Sequence, residues 1–154
     1  MRIRVICEGK AADARLRALQ ADYAARIAHF VPIDVDEIRL ARGDGRSDKN
    51  GITATERRMI EKADGACRVV LDAQGRQWTS AQFARWIAAN AVAGARELAF
   101  LVGGPEGFSA PFREQADLVL ALSAMTLTRD WARALLLEQI YRAFTLERGY
   151  PYAR

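Results

Sequence analysis

The stretch that most constrains this chain is Leu98-Ala-Phe-Leu-Val-Gly-Gly-Pro-Glu-Gly-Phe-Ser109. Leu98 to Val102 are apolar without alternation and stop abruptly at glycine, the pattern of a strand buried on both faces. Gly103-Gly104-Pro105-Glu106-Gly107 then joins three residues free to take positive φ to one whose φ is fixed, a rigid bend with exposed backbone N–H groups. At the carboxyl end of a parallel strand, such a bend is where open α/β sheets place ligands. Taken alone it reads first as a plain tight turn, because glycine and proline punctuate most loops.

The chain has 154 residues, half of them apolar, which is enough to bury a core within one domain spanning 1–154. No apolar run approaches the ~20 residues of a membrane span, and Met1 to Glu8 lacks the apolar region of a signal peptide. A cytoplasmic location without membrane association is therefore expected. Cys7 and Cys67 each lie in a strand-like apolar run and read as buried free thiols rather than disulfide partners. With His29 as the single histidine, no dedicated metal site is expected. The net charge of +4 arises from 23 Lys and Arg against 19 Asp and Glu, and nearly all of the positive charge is arginine. That balance permits RNA as a partner, since Arg suits bidentate phosphate contacts, but composition alone points first to an ordinary mixed surface.

Along the chain, Ile3, Val5 and Cys7 alternate with Arg2, Arg4 and Glu8, predicting a strand that Gly9 ends. Leu16, Leu19, Tyr23, Ile27 and Phe30 recur every three or four residues, predicting a helix stopped by Pro32. His29 is expected to face solvent or to cap that helix. A second strand is expected over 31–40, its alternation slipping near Asp36 as at an edge or bulge. Residues 41–51 are the most polar stretch and read as a mobile loop, either an RNA-facing lid carrying Arg42, Arg46 and Lys49 or a solvated connection. Thr53 with Glu56 and Thr79 with Gln82 have capping-box spacing, and each opens a helix; Phe83, Trp86, Ile87 and Ala91 form the apolar face of the second. Between them lie a third strand over 67–72 and a turn at Ala73 to Gly75. Ser109 caps a short helix with Pro111 in its first turn, a fifth strand covers 117–122, and a last helix runs over 130–148.

Strands alternating with helices predict an α/β domain, a mostly parallel sheet of about five strands flanked by helices. The loops after the third, fourth and fifth strands, at Leu71-Asp72, Gly103-Gly104 and Leu122 to Leu127, are then placed to frame one pocket.

Leu71-Asp72 with Gly75, the run Leu101-Val-Gly-Gly-Pro-Glu-Gly107, Leu122-Ser-Ala-Met-Thr-Leu127, and Glu138-Gln-Ile-Tyr-Arg-Ala143 followed by Pro151-Tyr152 carry a specific resemblance. Together, in this order, they resemble the SPOUT-class methyltransferase family that modifies pseudouridine at N3 in large-subunit ribosomal RNA. The resemblance spans the whole chain. It implies S-adenosylmethionine as methyl donor, a SPOUT α/β-knot fold with a carboxyl-terminal trefoil knot, a homodimer, and ribosomal RNA or the ribosome as partner. By position it implies a cofactor pocket lined by Leu71, Gly103, Leu122, Ser123, Ala124, Met125, Thr126 and Leu127. Glu138, Arg142, Tyr152 and Arg154 are implied as catalytic or substrate-positioning residues; Glu138 and Arg142 also read as a plain i,i+4 helix pair.

Two departures stand out. The family's tail is usually His-Pro-Tyr-His-Arg, whereas Tyr150-Pro-Tyr-Ala-Arg154 lacks both histidines, and the family's Pro-His-Pro-Leu-Val-Arg is here Thr128-Arg-Asp-Trp-Ala-Arg133. A different RNA target, or an inactive homologue that only binds RNA, is therefore the alternative expectation.

Overall fold

Strand and helix alternate throughout the computed structural model, which describes residues 1–39 and 47–152. In order they are β1 Arg2–Glu8, α1 Ala14–Ala28, β2 Ile33–Ile38, α2 Ala54–Lys62, β3 Cys67–Gln77, α3 Ser80–Val92, β4 Glu97–Val102, α4 Ala110–Glu114, β5 Leu118–Ala121 and α5 Arg129–Glu147. The strands form one parallel sheet in the order β2-β1-β4-β3-β5. The expected α/β class and strand number are what is found.

The non-alternating run on β4 sits at the centre of the sheet because both of its faces are covered. Leu98, Phe100 and Val102 join a core with Ile3 and Val5 of β1, Phe83 and Ile87 of α3, and Leu136, Leu137 and Ile140 of α5. Ala99 and Leu101 point the other way, onto Met59 of α2 and Phe112 of α4. At about 25 cal/mol per Å², burial of a large apolar side chain is worth ~1.5–3 kcal/mol, and on β4 Leu98, Phe100, Leu101 and Val102 are such side chains, each 2% exposed or less. β2 is an edge strand, which accounts for its imperfect alternation.

Helix starts follow the side chains expected of them. Thr53–Glu56 and Thr79–Gln82 are complete capping boxes, and Ser109 accepts from the Phe112 N–H ahead of α4. His29 is the exposed C-cap of α1. Two expectations change. Leu19 is exposed, and the buried face of α1 instead runs through Leu16, Gln20 and Ile27, with Gln20 Nε2 donating to the Asp130 carbonyl at 3.0 Å. The turn expected at Ala73 to Gly75 is an interruption inside a longer strand. β3 pairs with β5 both before and after it, Leu71 and Arg76 sharing the partner Leu120, so the intervening residues loop out of the ladder. Of the expected polar lid, Arg42 and Arg46 lie outside the described residues. Lys49 is exposed in a turn tied by Asp48 Oδ1, which accepts from the N–H groups of Asn50 and Ile52.

Candidate functional site

The interruption in β3, the turn after β4 and the loop after β5 face one another at the carboxyl ends of their strands. Between them lies a cavity of about 680 Å³, within the range typical of small-molecule sites. Of the residues expected to hold a cofactor, Leu71, Gly103, Leu122, Ser123, Met125, Thr126 and Leu127 all line it. Ala124 does not. Ser123 Oγ accepts from the Met125 N–H at 2.9 Å, and the tight bend this makes leaves Ala124 exposed on its outer side.

Each wall has a local cause. Asp72 shapes the first: one oxygen accepts from the Gln74 N–H at 2.8 Å and the other from Arg113 Nη1 at 2.9 Å, which ties the looped-out residues to α4. Gly75 lets that segment lie flat on β5, since a Cβ there would sit 2.7 Å from the Leu120 and Val119 backbone.

The second wall corrects the reading of its glycines. Only Gly107 takes positive φ, at 69°; Gly103 and Gly104 are needed for space. A Cβ on Gly103 would meet the Phe108 ring at 3.1 Å, and one on Gly104 would meet the Glu8 carboxylate at 2.5 Å, the carboxylate that accepts the Gly104 N–H at 2.9 Å. Small residues here let backbone approach the cavity.

Three residues hold the site through contacts that the sequence reading did not assign to them. Glu56, 4% exposed, completes its own capping box and also accepts from the Ser109 N–H at 2.6 Å and hydroxyl at 3.0 Å, joining the starts of α2 and α4. Arg133, 1% exposed, donates to the carbonyls of Glu8 at 2.7 Å and Gly9 at 2.6 Å and pairs with Glu37 at 3.3 Å. Arg129, on the cavity wall, donates to the carbonyls of Glu8 at 3.2 Å and Lys10 at 2.9 Å. The capping box was visible in the sequence, but its second partner was not. Arg133 carried a weak signal, a charged residue on the apolar face of a long helix.

The residues expected to be catalytic gather elsewhere. Glu138 Oε1 accepts from Arg142 Nε at 3.0 Å, Arg142 Nη2 at 2.6 Å and the Tyr152 hydroxyl at 3.3 Å, while its Oε2 accepts from Gln139 at 2.6 Å. The Tyr23 and Tyr152 hydroxyls lie 3.0 Å apart, and either can donate to the other. Tyr141 packs edge-on against the Tyr152 ring, and the Arg142 guanidinium lies 5.1 Å from its centroid. Burial, then Tyr23 and Glu138, push the Tyr152 phenol above its ordinary value and keep it neutral. None of Glu138, Arg142 and Tyr152 lines the cavity. Ala132 is the last residue of α5 on its wall, and Glu138 and Arg142 stand ~9 and ~15 Å further along the helix axis. Arg154 lies outside the described residues.

Burial pushes the Cys7 thiol up to about 12, which leaves it inert. Among the described residues no group of His, Cys, Asp and Glu could hold a metal ion, and no helix is long and apolar enough to cross a membrane.

Comparison with known proteins adds to this geometry. A family described as "Predicted SPOUT methyltransferase" matches residues 1–153. The protein named ribosomal RNA large subunit methyltransferase H in Trichlorobacter lovleyi is 38% identical over 152 residues, covering 99% of each chain. Its namesake in Thioalkalivibrio sulfidiphilus is 39% identical over 160 residues, covering 100% of this chain and 99% of its own. Among solved structures, a probable methyltransferase from Bordetella pertussis matches with a TM-score of 0.58 at 12% identity, covering 92% of this chain and 95% of that one. A probable methylase family protein from Haemophilus influenzae gives 0.57 at 12% identity, covering 99% and 70%. At such identities the structures speak for a shared fold.

Proposed function

Because the chain belongs to the SPOUT methyltransferase family, we propose that it methylates N3 of a pseudouridine in large-subunit ribosomal RNA, using S-adenosylmethionine, as a cytoplasmic homodimer. In this reading 1–154 is one catalytic domain with the family's carboxyl-terminal knot. The observation that carries it is the cavity itself: three loops at neighbouring strand ends, matched to the family by sequence, meet around a space of about 680 Å³. The walls suit the cofactor chemically. Backbone groups around Leu71, Gly103 and Leu122 to Leu127 can hold an adenine and a methionyl chain, and the glycine positions are those where a Cβ would crowd the turn.

When bound, S-adenosylmethionine supplies an electrophilic methyl group. The protein's work is to align the RNA nitrogen with that methyl and to exclude water. Leu71, Leu122 and Leu127 furnish the apolar boundary for this. The nucleophile must lose its N3 proton, and Glu138 is poorly suited to take it, since both of its oxygens already accept hydrogen bonds. We assign Glu138, Arg142 and Tyr152 to holding the carboxyl-terminal segment for substrate contact, with Arg154 beyond them. Within one subunit this network stands off the cavity, so in this reading it acts across the homodimer. Exposed apolar groups beside the cavity support such a partner: Met125 is 78% and Trp131 55% exposed.

Pseudouridine methylation is to be mapped on ribosomal RNA from a deletion strain and its complemented counterpart. The mark is expected to vanish and return; a mark that persists in the deletion strain refutes this target.

A further inference from the structure

We propose that Arg129 is a cofactor-specificity residue, its guanidinium binding the α-carboxylate of the methionyl end of S-adenosylmethionine. This rests on the cofactor reading above and names an ion pair the pocket would make.

Four charged residues line the cavity: Asp72, Glu106, Arg113 and Arg129. Asp72 and Arg113 neutralise each other at 2.9 Å, and Glu106 is exposed. Arg129 is left as the lining cation without a hydrogen-bonded carboxylate. Its nearest, Asp130 Oδ1, is 3.6 Å from Nε, and Asp130 Oδ2 is occupied by the N–H groups of Ala12 at 2.7 Å and Asp13 at 3.1 Å. Neutral carbonyls of Glu8 and Lys10 hold the guanidinium in place without cancelling its charge. Gly9 opens the seat, for a Cβ there would come 2.8 Å from Arg129 Nη1. The side chain is thus fixed, 22% exposed and still cationic at the cavity wall.

The ligand's charges give the complement. S-adenosylmethionine carries two positive groups, the sulfonium and the ammonium, and a single anion, the carboxylate. A pocket in which Arg129 is the lining cation with no carboxylate hydrogen-bonded to it has one favourable place for it. A preorganised guanidinium also loses less side-chain entropy on pairing than a free lysine would.

The test compares S-adenosylhomocysteine with its decarboxylated analogue by isothermal titration, on wild type, Arg129→Gln and Arg129→Lys. Wild type is expected to prefer the carboxylate-bearing ligand at least ~10-fold, as a charge-assisted hydrogen bond implies. Arg129→Gln should bring the two affinities within about twofold while leaving that for the decarboxylated ligand nearly unchanged; Arg129→Lys should fall between. A preference under about threefold in the wild type, read without any variant, overturns the assignment, as does a preference that survives Arg129→Gln. The latter outcome turns the charge toward an RNA phosphate. A wild type that binds neither ligand removes the cofactor reading itself, and this assignment with it.

Discussion

Replacing Gly75 by alanine adds one methyl at the tightest backbone approach in the site. The new Cβ would lie 2.7 Å from the Leu120 nitrogen and carbonyl carbon and from the Val119 carbonyl carbon, against a comfortable separation of ~3.5–4.0 Å. The obstacle is backbone, and β5 is held there by pairing on both sides of the interruption, through Leu71 and Arg76. Relief therefore requires β3 and β5 to part by most of an ångström. Overpacking costs about 1–3 kcal/mol, and a backbone obstacle places this case in the upper half. Restricting the unfolded chain returns about 0.4–1 kcal/mol. A net loss of ~2 kcal/mol converts to a fall in Tm of roughly 4–8 °C for a chain of this length. Gly94→Ala, with φ of 83° and nothing within 4 Å of the added methyl, is the comparison that carries backbone strain without a contact, at ~1–2 kcal/mol. Thermal and urea unfolding measure both. The Gly75 variant should also bind S-adenosylhomocysteine more weakly, because Asp72 to Gln74 form a wall of the cavity. A Gly75→Ala protein that melts at or above the wild type refutes the reasoning.

Gly103→Val should abolish S-adenosylhomocysteine binding by titration while the folded state persists, because its branches must enter either the Phe108 ring or the cavity; retained affinity would show that this turn does not approach the ligand. For acid stability, burial alone would raise the Asp130 carboxyl, but the N–H groups of Asp13 and Ala12, with Arg129 and Arg133, outweigh it and hold the carboxyl below its ordinary value. A lowered folded-state value stabilises the fold above the unfolded carboxylate range, near pH 4, and that contribution is lost as pH falls through the lowered value. Denaturant titrations across pH should therefore show Asp130→Asn less stable at neutrality with a flatter acid limb; a limb parallel to the wild type's counts against the role.

Much of the architecture was legible because its causes are local. The unbroken apolar run of β4 announced a central strand, and Thr53, Thr79 and Ser109 announced helix starts by spacing alone. The three loops of the cavity were legible as strand ends, and the family motifs then joined them. What escaped the sequence depends on partners far along the chain. Gly103 and Gly104 looked like conformational glycines, yet their neighbours Phe108 and Glu8 make them glycines of space. The looped-out piece of β3 looked like a terminus because pairing resumes only through β5, more than 40 residues on. The separation of Glu138 and Arg142 from the cavity follows from helix rise along α5, which motif spacing does not convey.

Arg129 and Arg133 reach back to the carbonyls of Glu8, Gly9 and Lys10 across 119 to 125 residues of sequence. The first strand can form early in synthesis, but the loop that follows it is held by β2 and α1 and gains the remaining partners of its carbonyls from the start of the last helix. The cavity is therefore finished last. A chain that stops short of α5 lacks Arg129 and Ala132 on the cavity wall, so in this reading ligand binding stabilises only chains that include the start of that helix.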